Sequence, residues 1–155
     1  MSESEKSVVW EDFIHTFPNF ALLFLLNPQH EVLLLRRINT PFGNHCYGLP
    51  GGQIENGETA SHTISRMSEA IIGLKFAPDD LQCVHVMHRK CNEPEFFAAV
   101  FKPQIWGGVP VNQLPEQYDD MDWFPLEQLP QEMVNAHRHA IQQIVQNIHY
   151  SEHGW

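Results

Sequence analysis

Leu49-Pro50-Gly51-Gly52-Gln53-Ile54-Glu55-Asn56-Gly57-Glu58 runs straight into residues 59–72, a stretch without Gly or Pro that Gly73 closes. Ile64, Met67, Ile71 and Leu74 recur there at spacings of three and four, which predicts a helix over 59–72 ending at Gly73. A glycine-rich loop opening a helix can form an anion site, because free backbone N–H groups and the helix dipole point at one spot. A Gly-Gly loop is more often a tight turn than a site, so composition alone assigns nothing here.

Upstream, residues 19–26 are apolar and aromatic, Asn27-Pro28-Gln29-His30 supplies turn chemistry, and residues 31–37 resume as an apolar run, which predicts a buried hairpin. Residues 39–57 hold Pro41, Gly43, Pro50, Gly51, Gly52 and Gly57, too many breakers for a regular element, so a long structured loop with a short strand at 46–49 is expected. Downstream, residues 81–88 and 95–102 read as strands joined by a polar turn at Asn92, Glu93 and Pro94, and residues 121–124 as another short strand. After Pro130 no breaker interrupts the chain to Tyr150, and Val134, Ile141, Ile144, Val145 and Ile148 share one stripe, predicting a closing helix. No repeat, linker or composition shift divides the chain, so one domain over 1–155 is expected, with residues 1–10 flexible. The order of elements predicts an α/β class, a mixed β-sheet sandwiched between α-helices.

A chain of 155 residues with 43% hydrophobic and 18% charged residues can bury one substantial core unaided. Its net charge of -10 repels phosphate backbones, and no Lys/Arg cluster reverses that field, which excludes nucleic acid as an expected partner. Ten scattered histidines are more often surface residues than a sensor. Cys46, Cys83 and Cys91 form no zinc-like spacing and no complete disulfide set, which fits a reducing compartment. Residues 1–6 are acidic and polar, unlike a signal peptide, and the longest apolar run, residues 20–26, is too short to span a bilayer. A cytoplasmic protein with no membrane partner is expected.

Wider context makes the loop specific. Gly52, Glu58, Arg66, Gly73 and Leu74 fall without a gap on G-x5-E-x7-R-E-U-x-E-E-x-G-U, the pattern of the Nudix hydrolases, where U is a bulky aliphatic. Arg36-Arg37-Ile38-Asn39-Thr40, His85-Val86-Met87-His88-Arg89, Trp106-Gly107-Gly108 and Tyr150-Ser151-Glu152-His153-Gly154-Trp155 also resemble a MutT-like bacterial subgroup of that family. The resemblance runs from about Phe20 to Trp155 and implies the Nudix fold, the α/β/α arrangement. It also implies hydrolysis of nucleoside diphosphate-linked compounds with Mg²⁺ or Mn²⁺, a nucleotide-like small-molecule ligand, and a homodimer.

The departures bear on function. Where the family has three helix glutamates this chain has Met67, Ala70 and Ile71, and its aliphatic position is Ser68. At about 100° per residue those three positions fall within one third of the helix circumference, which is how the family aims three carboxylates at one metal cluster. Mg²⁺ wants about six hard oxygen ligands, and a diphosphate needs its charge neutralised before water attacks. Losing several kcal/mol of that stabilisation slows hydrolysis by roughly 10³-fold. Glu69 lies about 200° around from position 67, and its simpler role is a pair with Arg66 at i, i+3. A later Glu-Pro-Lys pattern of the subgroup is reduced to the proline in Leu114-Pro115-Glu116-Gln117-Tyr118, where Glu116 reads as a solvated loop residue or a replacement carboxylate.

No tight metal site is therefore expected, with Glu58 and Glu69 the residual candidates. Glu58 either binds one ion or braces the helix through Arg66. The candidate catalytic residues are Glu58, Arg66, His88 and Glu95; the candidate ligand-binding residues are Arg37, Gly51, Gly52, Glu55 and Trp106. His45 and His62 are further imidazoles near the loop. For His88 the plain alternative is a structural imidazole, and for Trp106 packing beside Gly107-Gly108. Three functions stay open: a Nudix enzyme with weak or lost hydrolysis, a ligand-binding or regulatory module, and a metal-free enzyme using His88, Glu95 or His45 for proton transfer.

Overall fold

The computed structural model describes residues 17–90 and 95–155. Residues 1–10, Cys91 and the turn expected at Asn92, Glu93 and Pro94 lie outside them.

Eight strands and two α-helices are described: β1 (Phe20–Leu23), β2 (Glu31–Arg37), β3 (Tyr47–Gly48), β4 (Gly51–Gln53), α1 (Ala60–Ile72), β5 (Leu81–Arg89), β6 (Phe96–Pro103), β7 (Tyr118–Pro125), α2 (Asn135–Val145) and β8 (Tyr150–His153), with a 3-10 turn at Pro78–Asp80. They build a mixed five-stranded sheet in the order β4-β1-β6-β5-β8 and an antiparallel three-stranded sheet in the order β3-β2-β7.

The expected hairpin exists only at its turn. Asn27 Oδ1 accepts from the backbone N–H of Gln29 and Glu31, Asn27 N–H donates to Glu31 O, and Leu26 bridges Val32. The pairing ends with the bond from Leu33 N–H to Leu25 O at 3.0 Å, and beyond it the two strands part into different sheets. Both edges of β1 are taken, by β4 at Phe20↔Gln53 and by β6 at Phe20↔Ala98, so β2 pairs with β3 and β7 instead.

Strand alternation gives the segment around β1 two buried faces, which is why it reads as a continuous apolar run. Leu22 and Phe24 pack with Met87, Ala136, Ala140 and Ile141 beneath α2; Ala21, Leu23 and Leu25 pack with Ile64, Ile71, Ile72 and Phe101 beneath α1. The helices thus cover separate cores. The α/β arrangement expected from the sequence, strands sandwiched between helices, is present.

Two expectations need correction. The final helix does not reach Tyr150: α2 stops at Val145, Asn147 takes a left-handed φ of 61°, and the chain then enters β8. Asn tolerates that conformation because its short side chain can bond locally. Val145, expected on the buried stripe, is 57% exposed, whereas Ile141 is fully buried. The closing Tyr150–His153 segment is an edge strand parallel to β5, with Val86↔Tyr150 and Arg89↔His153 in register, so its motif has a structural account. The second missed strand is β4, three residues long and two-thirds glycine.

Among the described residues no helix is long and apolar enough to cross a membrane.

Candidate functional site

The loop from β4 to α1 is held by packing at its start and by charge at its end. Gly51 lies against β1 so closely that a Cβ there would sit 2.2 Å from Ala21 O. A Cβ on Gly52 would meet Met67 Cε at 2.8 Å, so the Met67 side chain lies on the Gly-Gly turn. Thr59 caps α1, its Oγ1 accepting from His62 N–H at 3.2 Å, and Gly73 ends it with φ 72° and a bond from its N–H to Glu69 O.

Glu58 is fully engaged. Its carboxylate accepts from Arg66 Nε at 2.8 Å and Nη2 at 2.9 Å, from Thr63 Oγ1 at 2.6 Å and from Glu55 N–H at 3.2 Å. Arg66 also donates to Gln53 O at 3.3 Å and lies 3.7 Å from Glu55 Oε1. The expected Arg66–Glu69 pair does not form, because helical side chains lean toward the N-terminus and carry the guanidinium back to the loop.

The hydrogen bond from Arg66, then that from Thr63, lowers the Glu58 pKa from 4.5 to about 2. A carboxylate depressed in the folded state stabilises fully above its unfolded pKa and loses that contribution as pH falls toward the folded one. Acid unfolding between about pH 4.5 and 2 is therefore expected to shrink in Glu58→Gln relative to the parent, read by circular dichroism across that window. An unchanged acid limb would show that the brace does not contribute.

The three α1 positions that carry glutamates in the family pattern occupy three environments. Met67 is half-buried on the loop, Ala70 is exposed, and Ile71 is fully buried among the α1-side core residues. Glu69 and His62 line an open depression outside α1 together with Glu58, Arg66 and Lys75. Among the described residues no group of three or more His, Cys, Asp or Glu side chains is placed to share a metal ion.

The remaining candidates are dispersed. His88 Nε2 lies 3.2 Å from Glu95 Oε2, its ring stacks on Phe97 at 4.2 Å, and Trp155 Nε1 donates to its carbonyl at 3.2 Å. Trp106 donates to Leu26 O at 2.9 Å and stacks on Trp123 at 6.0 Å, so it packs under the 25–31 turn. His45 is exposed with φ 64°, and the exposed Glu116 accepts from Asn39 Nδ2 through its backbone carbonyl.

Arg37 has a different setting. Its neighbour Arg36 pairs with Asp119 at 2.7 Å on the outside, whereas Arg37, one residue on, turns inward. A Cβ on Gly48 would meet His137 Nδ1 at 2.9 Å and Arg37 Nε at 3.4 Å, which puts guanidinium and imidazole side by side. His137 Nδ1 accepts from Leu49 N–H at 2.9 Å, so it is the unprotonated nitrogen. Burial, with Arg37 and Arg89 nearby, holds the His137 pKa well below its usual value. Burial also lowers that of Arg37, and Arg89 adds to this. Among the described residues neither Arg37 nor Arg89 forms an ion pair with a carboxylate. The sequence reading picked out Arg37 but missed Arg89 and His137, which come from β5 and α2 and have no local signal in common.

This arrangement has recognisable relatives. The NUDIX domain profile matches residues 15–144. An ADP-ribose pyrophosphatase of Methanocaldococcus jannaschii is 26% identical over 117 residues, covering 76% of this chain and 68% of the relative. A MutT NUDIX hydrolase from Burkholderia pseudomallei superposes with a TM-score of 0.74 at 24% identity, covering 83% of this chain and 98% of that one. The NUDIX domain of Shewanella oneidensis NrtR, crystallised with ADP ribose, superposes with a TM-score of 0.68 at 22% identity, covering 94% of this chain and 98% of that one. With the profile spanning most of its length and both structures sharing its fold, the chain belongs to the NUDIX domain family.

Proposed function

We propose that this protein binds a nucleoside diphosphate-type ligand and that its metal-dependent hydrolysis is weak or lost. The observation that carries this reading is the α1 face: Ile71 is in the core, Met67 covers the Gly-Gly turn, Ala70 offers a methyl group, and Glu58 is spent on Arg66 and Thr63. Mg²⁺ and Mn²⁺ need several hard oxygen donors converging on one point, and these residues do not fit that requirement.

Recognition falls to the chain's own groups. Arg37 and Arg89 supply positive charge without a carboxylate to neutralise it, in partly desolvated surroundings where an anion is held more strongly than in water. The M. jannaschii relative and the NrtR domain make ADP-ribose the first ligand to test.

With a chelator present and ADP-ribose at about 100 times Kd, the expected stabilisation is about 2.7 kcal/mol, which raises Tm by about 5–10 °C. With Mg²⁺ or Mn²⁺ the expected turnover stays below about 10⁻² s⁻¹, against a median enzyme kcat of about 10 s⁻¹. Turnover at ordinary rates, or no ligand effect on Tm without metal, would overturn the reading.

The His88–Glu95 pair at 3.2 Å supports a second reading, metal-free proton transfer at that surface. Loss of an activity in a folded His88→Ala variant would support it, and an unchanged rate would remove it.

A further inference from the structure

Arg89 and His153 are direct neighbours across the β5/β8 ladder, and the ring of His139 from α2 lies 4.8 Å from that of His153 at 36°. Arg89 Nε, His139 Nε2 and His153 Nδ1 are buried and lack hydrogen-bond partners among the described residues. Buried polar nitrogens without partners are uncommon, so their collection at one seam between α2, β5 and β8 calls for a physical use.

The charged and titratable groups that act on this pair or on the neighbouring His85 are Arg89 and His85 from β5 and His149 from the turn before β8, and Arg89 also reaches His137 of α2, which lies beside Arg37 of β2. None is a carboxylate. Glu152 lies on the opposite face of β8, bonded to Tyr150 Oη at 2.8 Å. The exposed His149 bonds Val84 O through Nδ1 at 3.3 Å, and the other two imidazoles are committed by stronger bonds. His85 bonds Ile148 O through Nδ1 at 2.8 Å and Ser151 Oγ through Nε2 at 2.7 Å, while His137 Nδ1 accepts from Leu49 N–H. Either would have to break or reverse a bond to take a proton. His139 and His153 each keep a ring nitrogen that would not.

We propose that the His139–His153 pair takes up one proton from solvent when an anion settles against Arg37 and Arg89, which links ligand binding at that cluster to pH. This rests on the anion-binding reading given above. Burial, then His139 and Arg89, lowers the His153 pKa in the ligand-free protein. An anion on Arg89 offsets part of that opposing charge, so the proton binds more readily, and by reciprocity the protonated pair binds the anion more tightly.

Sulfate is a suitable probe because its charge is constant over the range concerned. The imidazole C–H signals of the full chain, followed by NMR against pH, are expected to show the His153 midpoint rising by about one unit in saturating sulfate, with sulfate bound about three- to tenfold more tightly at about pH 5.5 than at about pH 8. His153→Asn is expected to flatten that dependence. Arg89→Met is expected to raise the His153 midpoint with no anion present. A midpoint indifferent to both sulfate and Arg89→Met, or equal pH dependence in His153→Asn, would overturn the linkage. Failure of ADP-ribose to bind would refute the ligand reading alone, since these titrations use no nucleotide.

Discussion

Ile71→Glu is expected to destabilise the protein by about 3–5 kcal/mol at neutral pH rather than restore a metal site. Ile71 is fully buried against Leu23, Leu33, Leu35 and Ile64. A carboxylate there would be ionised without a partner or forced to stay protonated, and either outcome weakens the fold. The loss should therefore be smaller near about pH 5 than at about pH 8, because the unfolded glutamate ionises freely at the higher pH. Urea unfolding at the two pH values reads this directly. Ala70→Glu, on the exposed side of the same helix, should change stability by no more than about 0.5 kcal/mol. An Ile71→Glu variant as stable as the parent would mean that position 71 can reach solvent or an ion.

Gly51→Ala is the other substitution with a large expected cost, about 3 kcal/mol or more. Its Cβ would be 2.2 Å from Ala21 O and 2.9 Å from Leu22 Cα, both backbone atoms that no side-chain rotation can relieve. β4 would have to move off β1, breaking the Leu22↔Gly51 register and the bond from Leu23 N–H to Pro50 O at 2.8 Å. The carbonyl of Gln53, which anchors Arg66, moves with it. Gly57→Ala is the control: a Cβ there meets nothing within 4 Å, so its φ of +80° leaves only a backbone cost of about 1 kcal/mol. A loss below about 1 kcal/mol for Gly51→Ala would show that the loop is not seated as described.

The legible parts of this fold are those whose signals are local. α1 declared itself through a 3.6-residue period and a closing glycine, and the Glu58–Arg66 brace was one of the two roles the sequence left open to Glu58. β4 was hidden because its extended form is imposed by β1, not by the propensity of Gly51-Gly52-Gln53. β8 was hidden because the apolar period of α2 runs on through Ile148, and only Asn147 marks the break. The parting of β1 and β2 into separate sheets depends on which strand takes each edge of β1, and that is decided some 80 residues later, at β6. The cationic cluster joins Arg37, Arg89 and His137, and the imidazole seam joins His139 and His153, through tertiary packing that no short window contains.

The claim that α1 cannot gather divalent cations is tested most directly by electron paramagnetic resonance of Mn²⁺ titrated into the protein with ADP-ribose present. The prediction is no protein-bound Mn²⁺ at about 0.1 mM free metal, beyond what the nucleotide holds by itself. One or more Mn²⁺ ions bound per chain in that range, and released by Glu58→Gln or Glu69→Gln, would contradict it.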